Sequence, residues 1–544
     1  MHDLLIQSCN AYYDYLNNNH KGVQDIQIAS HYIQDNFITI KLRQKRFSLD
    51  YIQIAIDDYS FLLDHDEIIN KTYDENNQIL TLQCKPSLFT LLSNALESKK
   101  IKIYTDLKFL ITNLRDFFQR YNIFLPTKTP QHTTRLTLHT NESQKQAIHG
   151  ALNNTLSYIW GPPGTGKTQF VLFEILMHFV ETNKKICVIA PTNNALEQIL
   201  STIIIQLDNL NFSRNKIIRL GTPTTTFFNK FSDTCEYTPP QQTNLFNHST
   251  YSTPIKKRYE NAIIFGMTID GFIRKYSDLE INFAHFFLDE GAFTPLAKAL
   301  ALCVDNTPIT LLGDHKQLSP ICEMPTQEMI NKNKSVKLWS ISALYLEDFF
   351  KPTFLNNLDN IKPDPSFDKM QLFKLNITYR YGEKLARILA ENIYTTLEST
   401  HNHTEILYAN ATPSTSHTNE LFSSSEAEVA KKIYQELKHE DIAILTPFNK
   451  QKEYIQKLIH SPNVMTIHSS QGREFDTIIL SPVMLHHYCT NSQNKTALYT
   501  LNVAITRLKK RLIIVCDYDF WIKQKNQLLC KLLEQAKPYK FKQK

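Results

Sequence analysis

The stretch "GPPGTGKT", Gly161 to Thr168, stands between the apolar runs "LSYIW" and "FVLFEILMHFV". The spacing G-x-x-x-x-G-K-[ST] puts glycines where the chain must turn tightly and point successive N–H groups at a polyphosphate. Gly161, Pro162, Pro163, Gly164, Thr165 and Gly166 would form the cradle. Lys167 would reach the β- and γ-phosphates, Thr168 would ligate Mg²⁺, and a helix starting near Gln169 would aim its positive end at the anion. Kinases, GTPases and motors share this loop, so by itself it says only that a nucleotide binds.

Downstream, "FFLDEGA" ends an apolar strand on Asp289 and Glu290. One carboxylate there can hold the waters of Mg²⁺ while its neighbour orients or deprotonates an attacking water, although paired acids at strand ends also cap helices. "LLGDHKQLSP" ends another strand and carries Gln317, a side chain suited to sensing a γ-phosphate. "TYRYG" and "LNVAITRLKKRLIIV" supply Arg380 and Arg507. Both lie far along the chain from Lys167, so they can act as arginine fingers only if a second lobe closes over the nucleotide. A single arginine more often ends in a surface ion pair; the fixed order of these motifs argues against that fate here.

The elements that must position these residues follow from hydrophobic pattern. "LSYIW", "KICVIAP", "KIIRL", "AIIFGMT", "HFFLDE" and "ITLLGD" read as buried strands separated by helical segments, which predicts a parallel sheet. A charged, Pro-containing segment near 362–369 is followed by "EILYA", "DIAILTP", "VMTIH", "DTIIL" and "RLIIVCD", a second α/β set. The expected fold is therefore α/β: two P-loop-type lobes over 136–360 and 361–544, each a parallel sheet with flanking helices. A small N-terminal β and helical accessory region would occupy 1–135. In it, "NFITIKLRQKRF" alternates as a strand, and "DLKFLITNLRDFFQRY" puts Leu107, Leu110, Leu114, Phe117 and Tyr121 on one helical face. Lys41, Arg43, Lys45 and Arg46 fit a solvated strand face better than a phosphate contact. The polar stretches 208–257 and 403–425 are expected to be surface loops.

Bulk properties bound the partners. The 544 residues suffice for three or four domains, with 42% hydrophobic and 21% charged residues. Lys plus Arg number 59 against 53 acids, and a net charge of +6 permits a polyanionic partner without requiring one. No run approaches the ~20 apolar residues that span a bilayer, and the start lacks the order of a signal peptide, so a cytoplasmic location without membrane partners is expected. The nine cysteines are scattered without C-x-x-C or zinc spacing, which predicts neither zinc nor disulfides.

Taken together, these motifs resemble superfamily 1 helicases, in the branch that contains the nonsense-mediated-decay RNA helicase. The resemblance runs from about Leu136 to Asp517 through "NESQKQAI", "GPPGTGKT", "APTNNALEQ", "GMTI", "DEGA", "GDHKQLSP", "TYRY", "LTPFNKQ", "TIHSSQGREFDTIIL" and "NVAITR". It implies two RecA-like lobes, ATP and Mg²⁺ as cofactors, and 5′-to-3′ movement on single-stranded DNA or RNA. Gln144 would read adenine, Tyr379 would stack near the base, Arg380 and Arg507 would contact the γ-phosphate, and Glu474 the ribose. Asn193, Asn194, Thr268, Pro447, Thr466 and His468 would line a groove that follows a sugar-phosphate backbone without reading bases. The N-terminal region resembles a stalk with a reduced accessory barrel and stays open to protein partners. Departures are Gly291 where Ala is usual, Ser319 in "QLSP", Leu508 after the second finger and His468 where Asp is common. An ATP-gated clamp that remodels a complex without processive unwinding fits the same motifs.

Overall fold

Short runs that are apolar on both sides of the pleat are stable only in a sheet covered on two faces, and the chain builds two such sheets. The computed structural model describes residues 2–43, 52–57, 59–63, 67–74, 77–127, 132, 136–236, 255–331, 333–354, 357–358, 370–411 and 421–542. From edge to edge, the first sheet runs Ile217–Arg219, Ile264–Thr268, Ile186–Ala190, Phe286–Leu288, Ile309–Gly313, Leu156–Trp160 and Gln371–Lys374. Every neighbouring pair is parallel. Helices Glu142–Asn153, Phe173–Glu181 and Asn193–Asn209 bury Ile148, Leu176 and Leu200 on one face. Ile269–Leu279 and Leu296–Ala299 cover the other with Phe272 and Leu296.

The strand Gln371–Lys374 corrects the expected division at 360. It pairs in register with Ser157–Trp160 and caps what would otherwise be an open sheet edge, so the chain leaves the first sheet only after Lys374. The expected linker at 362–369 lies outside the described residues. Within the polar stretches, the strands read from "KIIRL" and "EILYA" are present as Ile217–Arg219 and Glu405–Asn410, and the helix Thr225–Phe231 is structure beyond the expected loop.

The second sheet runs Val464–Thr466, Ile442–Thr446, Phe475–Leu480, Leu508–Cys516, Glu405–Asn410 and Lys537–Pro538, again all parallel. Ser424–Leu437 and Asn449–Ile459 pack Ile433 and Ile455 on one face. The opposite face, with Leu501, Val503 and Leu512, belongs to the same apolar cluster as Phe272 and Leu296 of the first lobe, so the lobes share a core.

Before the lobes, two four-stranded antiparallel sheets enclose Ile38, Ile40, Ile54, Leu80 and Leu82 with Leu88 and Leu92 of helix Pro86–Glu97. The stalk helix Leu107–Arg120 starts where the Asp106 carboxylate accepts from Lys108 N at 2.9 Å. It buries Ile111, Leu114, Phe117 and Phe118. The buried face is thus turned from the expected one, leaving Leu107, Leu110 and Tyr121 only partly covered. Helix His2–Asn18 locks the stalk to the first lobe: the Tyr12 ring packs at a tilt against Trp339 with centroids 5.0 Å apart, and Ser8 Oγ donates to Ser335 O at 2.7 Å. Lys41 and Arg43 are exposed, while Lys45 and Arg46 lie outside the described residues. Among the described residues no helix is long and apolar enough to cross a membrane.

One buried acid makes the second lobe pH-sensitive. The Glu426 carboxylate accepts from Ser481 Oγ at 2.6 Å and from Val483 N at 3.1 Å. It thereby holds Val483 at φ 65°, a left-handed conformation rare for a β-branched residue. Burial pushes this carboxyl up to about 8. Between the ordinary carboxylate range and pH 8 the folded chain therefore keeps a proton that the unfolded chain has lost, and stability falls as pH rises through that window. Glu426→Gln, neutral at every pH and able to accept both bonds, should lack this loss. Thermal unfolding at pH 5 and pH 8 checks it: the variant's melting temperature should gain on the parent's at the higher pH.

Candidate nucleotide cleft and nucleic-acid groove

The functional side chains sit at the carboxyl ends of the parallel strands, where loops of such sheets converge. Trp160 ends the strand that enters the phosphate loop; Leu288 precedes Asp289, and Gly313 precedes Asp314. The loop turns through Gly164 and Gly166 at φ 80° and 81°, both left-handed. Its helix opens with a wide π-type turn at Lys167–Leu172, in which Phe170 N and Val171 N both donate to Gly166 O. The helix therefore begins two residues before Gln169.

A cleft of about 530 Å³ gathers residues that are hundreds of positions apart. Its walls hold Pro163, Gly164, Thr165, Gly166, Lys167 and Thr168 with Asp289, Glu290 and Gln317 from the first lobe. Tyr379, Arg380, Glu474 and Arg507 close it from later in the chain. Lys167 Nζ donates to Gly161 O. Burial lowers the pKa of this ammonium, while Asp314, Asp289 and Glu290 pull it back up. Burial likewise raises Asp289, against Lys167 and the Glu290 N–H that donates to Asp289 Oδ1 at 2.9 Å. Glu290 is raised by burial and by Asp289, against Arg507 and Lys167. A raised carboxyl beside a phosphate site is suited to taking a proton. Glu290 also sits at φ 52°, a strained conformation for a non-glycine residue at the reacting end of a strand.

Two arginines meet at the cleft in different ways. Arg507 NH2 donates to Gln317 Oε1 at 2.8 Å, and its Nε donates to Val503 O at 3.2 Å. Burial and the neighbouring Arg380 lower its pKa to about 10, leaving it charged at neutral pH. Arg380 donates to Thr506 O at 2.9 Å and pairs with Glu474, which also faces Lys509 at 3.8 Å. The segment carrying Arg380 rests on the phosphate loop itself: Thr378 Oγ1 donates to Pro163 O at 3.0 Å and Tyr379 N to Gly164 O at 2.8 Å. A Cβ on Gly164 would stand 2.4 Å from Arg380 Cβ. Gly164→Ala should therefore lift this segment, adding backbone strain of about 1–3 kcal/mol. Turnover should fall roughly tenfold or more through misplacement of Arg380. Steady-state hydrolysis alongside a melting curve checks both effects.

Gln144 is placed otherwise than its expected adenine contact suggests. Its side chain is buried, is absent from the cleft lining, accepts from Asn141 N at 3.0 Å and donates to Thr165 O at 3.1 Å. It completes a capping box with Asn141 and braces the phosphate loop from behind. The aromatic surface at this end of the cleft is Phe170 beside Tyr379, with ring centroids 5.7 Å apart.

A second cavity, about 400 Å³, is lined by Asn193, Asn194, Thr268 and Asp270 of the first lobe, His468 and Gln471 of the second, and Leu110 of the stalk. Burial lowers the His468 pKa, so this ring is neutral near pH 7 and offers a hydrogen bond rather than a charge. Asn193 Oδ1 accepts from Arg219 NH2 at 2.8 Å, and Arg219 is fully buried in a pair with Glu197 at 3.3 Å. Pro447 and Thr466 do not line this cavity; Thr466 Oγ1 is bonded to Ser469 Oγ at 2.8 Å, next to His468. Glu290 and Gly472 line both cavities, so the acid of the first cleft forms part of the wall of the second.

Residues 139–263 and 366–519 each match an AAA domain family, together slightly more than half of the chain. The DNA polymerase alpha-associated DNA helicase A of Saccharomyces cerevisiae is 23% identical over 500 residues, covering 75% of this chain and 68% of that protein. Regulator of nonsense transcripts 1 of Dictyostelium discoideum is 25% identical over 437 residues, covering 69% of this chain and 30% of that protein. The chain belongs to the superfamily 1 helicases. Within them it falls in the branch of the nonsense-mediated-decay helicase, and its enzyme class is that of the helicase ATPases. A crystal structure of arterivirus nonstructural protein 10, a helicase, aligns over 89% of this chain and 77% of its own at 15% identity and a TM-score of 0.39. This helicase spans about two thirds of the yeast relative and under a third of the Dictyostelium one.

Sequence reasoning missed several residues that this helicase brings to the nucleotide cleft or packs behind Asn193 of the groove. Asp314 stood in "GDHKQ" without a role, although a carboxylate at a strand end beside a phosphate loop is itself a signal. Phe170, two residues beyond Thr168, had its position as the only signal. Arg219 and Glu197 had none, because their pairing joins a strand to a helix 22 positions away.

Proposed function

We propose that the chain is an ATP-driven motor that moves 5′ to 3′ along single-stranded nucleic acid and opens duplexes. The observation that carries this reading is the shared wall: Glu290, the acid we assign to water activation, lines the nucleotide cleft and also borders the groove of Asn193, Asn194, Thr268 and His468. A strand in that groove can then alter the setting of the acid that limits hydrolysis.

ATP would lie with its phosphates on Gly161 to Thr168, Lys167 countering their charge and Phe170 with Tyr379 flanking the base. Oxygen donors suit Mg²⁺, and Thr168 with Asp289 would hold it, where it supplies positive charge to the transferring phosphoryl group. Glu290 takes the proton of the attacking water; Arg507 and Arg380 offset charge as it develops. Gln317, bonded to Arg507, reports the state of the cleft to the second lobe. Asn193, Asn194, Thr268, Pro447, Thr466 and the neutral His468 grip the sugar-phosphate backbone, which makes binding largely independent of sequence. The motor acts in the cytoplasm, and its N-terminal sheets are where protein partners would dock.

Strand displacement on matched duplexes with 5′ and 3′ single-stranded tails tests the reading. ATP-dependent opening from the 5′ tail is expected. Stimulated hydrolysis with no duplex opened from either tail would instead establish an ATP-gated clamp. Running the assay with DNA and RNA tails assigns the strand, since a contact to the 2′-hydroxyl separates the two.

A further inference from the structure

The carboxylate of Asp314 is divided between the two lobes. Its Oδ1 accepts from Trp160 Nε1 at 3.0 Å and from Lys316 N at 3.0 Å, both in the first lobe. Its Oδ2 accepts from Gln317 Nε2 at 3.0 Å and from Tyr394 OH at 2.6 Å. Tyr394 ends the helical segment that follows "TYRYG", and its hydroxyl accepts in turn from Asn502 Nδ2 at 2.6 Å. Asn502 lies in the helix Lys495–Ile505 that leads to Arg507, and its Nδ2 also donates to Lys316 O at 2.7 Å. All three side chains are buried, and burial with the Asp314 charge raises the Tyr394 pKa far enough to keep the phenol protonated.

This geometry does two things to Gln317. By taking its Nε2, Asp314 turns Oε1 toward Arg507, which fixes the amide in the orientation that the finger needs. Tyr394 and Gln317 also share one oxygen, so a shift of Gln317 toward a phosphate changes what Asp314 offers Tyr394, and through it Asn502 and the arginine helix. Buried hydrogen-bond chains to a charged group are stiff enough to carry such a change.

We infer that Tyr394 is a positioning residue that couples the nucleotide cleft to the second lobe, its hydroxyl linking Asp314 to Asn502 so that strand binding accelerates hydrolysis. Tyr394 lines neither the cleft nor the groove, so it acts through Gln317 and Arg507 and touches neither ATP nor the strand. The inference rests on the motor reading above and adds a route to it.

Tyr394→Phe removes the hydroxyl and keeps the ring. Asp314 Oδ2 retains Gln317 and Asn502 Nδ2 retains Lys316 O, so each former partner keeps a bond and the variant should fold with a melting curve close to the parent's. Hydrolysis is measured with and without a single-stranded oligonucleotide, together with ATP affinity. ATP affinity and unstimulated turnover should stay within about twofold, while strand-stimulated turnover drops about tenfold, the scale of a lost hydrogen bond to a buried charge. Asn502→Ala should give a similar loss of stimulation, and the double variant should be no worse than the poorer single one, because both break one chain. Full stimulation in Tyr394→Phe, or additive losses in the double variant, would overturn the coupling role while leaving the motor reading intact. A parent protein with no stimulation by any strand would overturn both.

Discussion

Arg507→Ala should bind ATP with only modestly weakened affinity yet lose strand-stimulated hydrolysis by on the order of 10³-fold or more. In the proposed ATP site the phosphate loop and the Phe170 and Tyr379 rings would supply ground-state contacts that the substitution leaves in place. Arg507 instead stands beside Gln317 Oε1 and faces Glu290, where charge develops during transfer. Truncation also opens a buried space and strands Gln317, so part of any loss could reflect local collapse. Arg507→Lys separates the two causes: it keeps a charge and most of the volume but loses the planar fork. A residue acting on the transition state leaves the lysine variant folded, able to bind ATP and still slow. Nucleotide affinity, melting temperature and stimulated turnover on the same preparations distinguish this from a packing role, which lysine would largely restore.

Glu290→Gln should leave ATP affinity within a few-fold of the parent and lower turnover by roughly 10²- to 10⁴-fold, the usual worth of a positioned general base. The amide keeps the shape of the side chain, and the backbone retains its left-handed turn and the bond from Glu290 N to Asp289. What disappears is the group able to take a proton. Single-turnover hydrolysis with saturating ATP checks the result; turnover at the parent rate would move the catalytic base elsewhere.

Local chemistry made most of this site legible. Strands such as Ile186–Ala190 and Ile442–Thr446 are read directly from continuous apolar runs, and the loop Gly161 to Thr168 from its glycine spacing, because in both cases the physical demand is local. Side-chain allocation was harder to read. The spacing Asn141-x-x-Gln144 carries a capping-box signature, and the structure gives the glutamine to that role and to Thr165 O, where resemblance alone gave it to a base. The stalk pattern was correct in period, but its buried stripe is centred on Ile111 and Phe118, since the partner surfaces on His2–Asn18 and Phe272 decide which stripe is covered. The edge strand Gln371–Lys374 is partly exposed and short, so its pattern gave no strand signal; only the open edge at Leu156–Trp160 explains it. Buried links such as Arg219 with Glu197, or Asp314 with Tyr394, join positions 22 and 80 residues apart and have no periodic trace.

In the proposed motor, two lobes close one ATP site whose acid also borders a strand-binding groove. The most direct test is the ATP turnover of the parent protein, titrated with single-stranded oligonucleotide at saturating ATP and repeated at rising salt. The account predicts turnover that climbs at least severalfold to a plateau as the strand binds, with the half-saturating concentration moving upward as salt screens the phosphates. Turnover that is already maximal without any strand, and unchanged by DNA or RNA at every salt concentration, would contradict it.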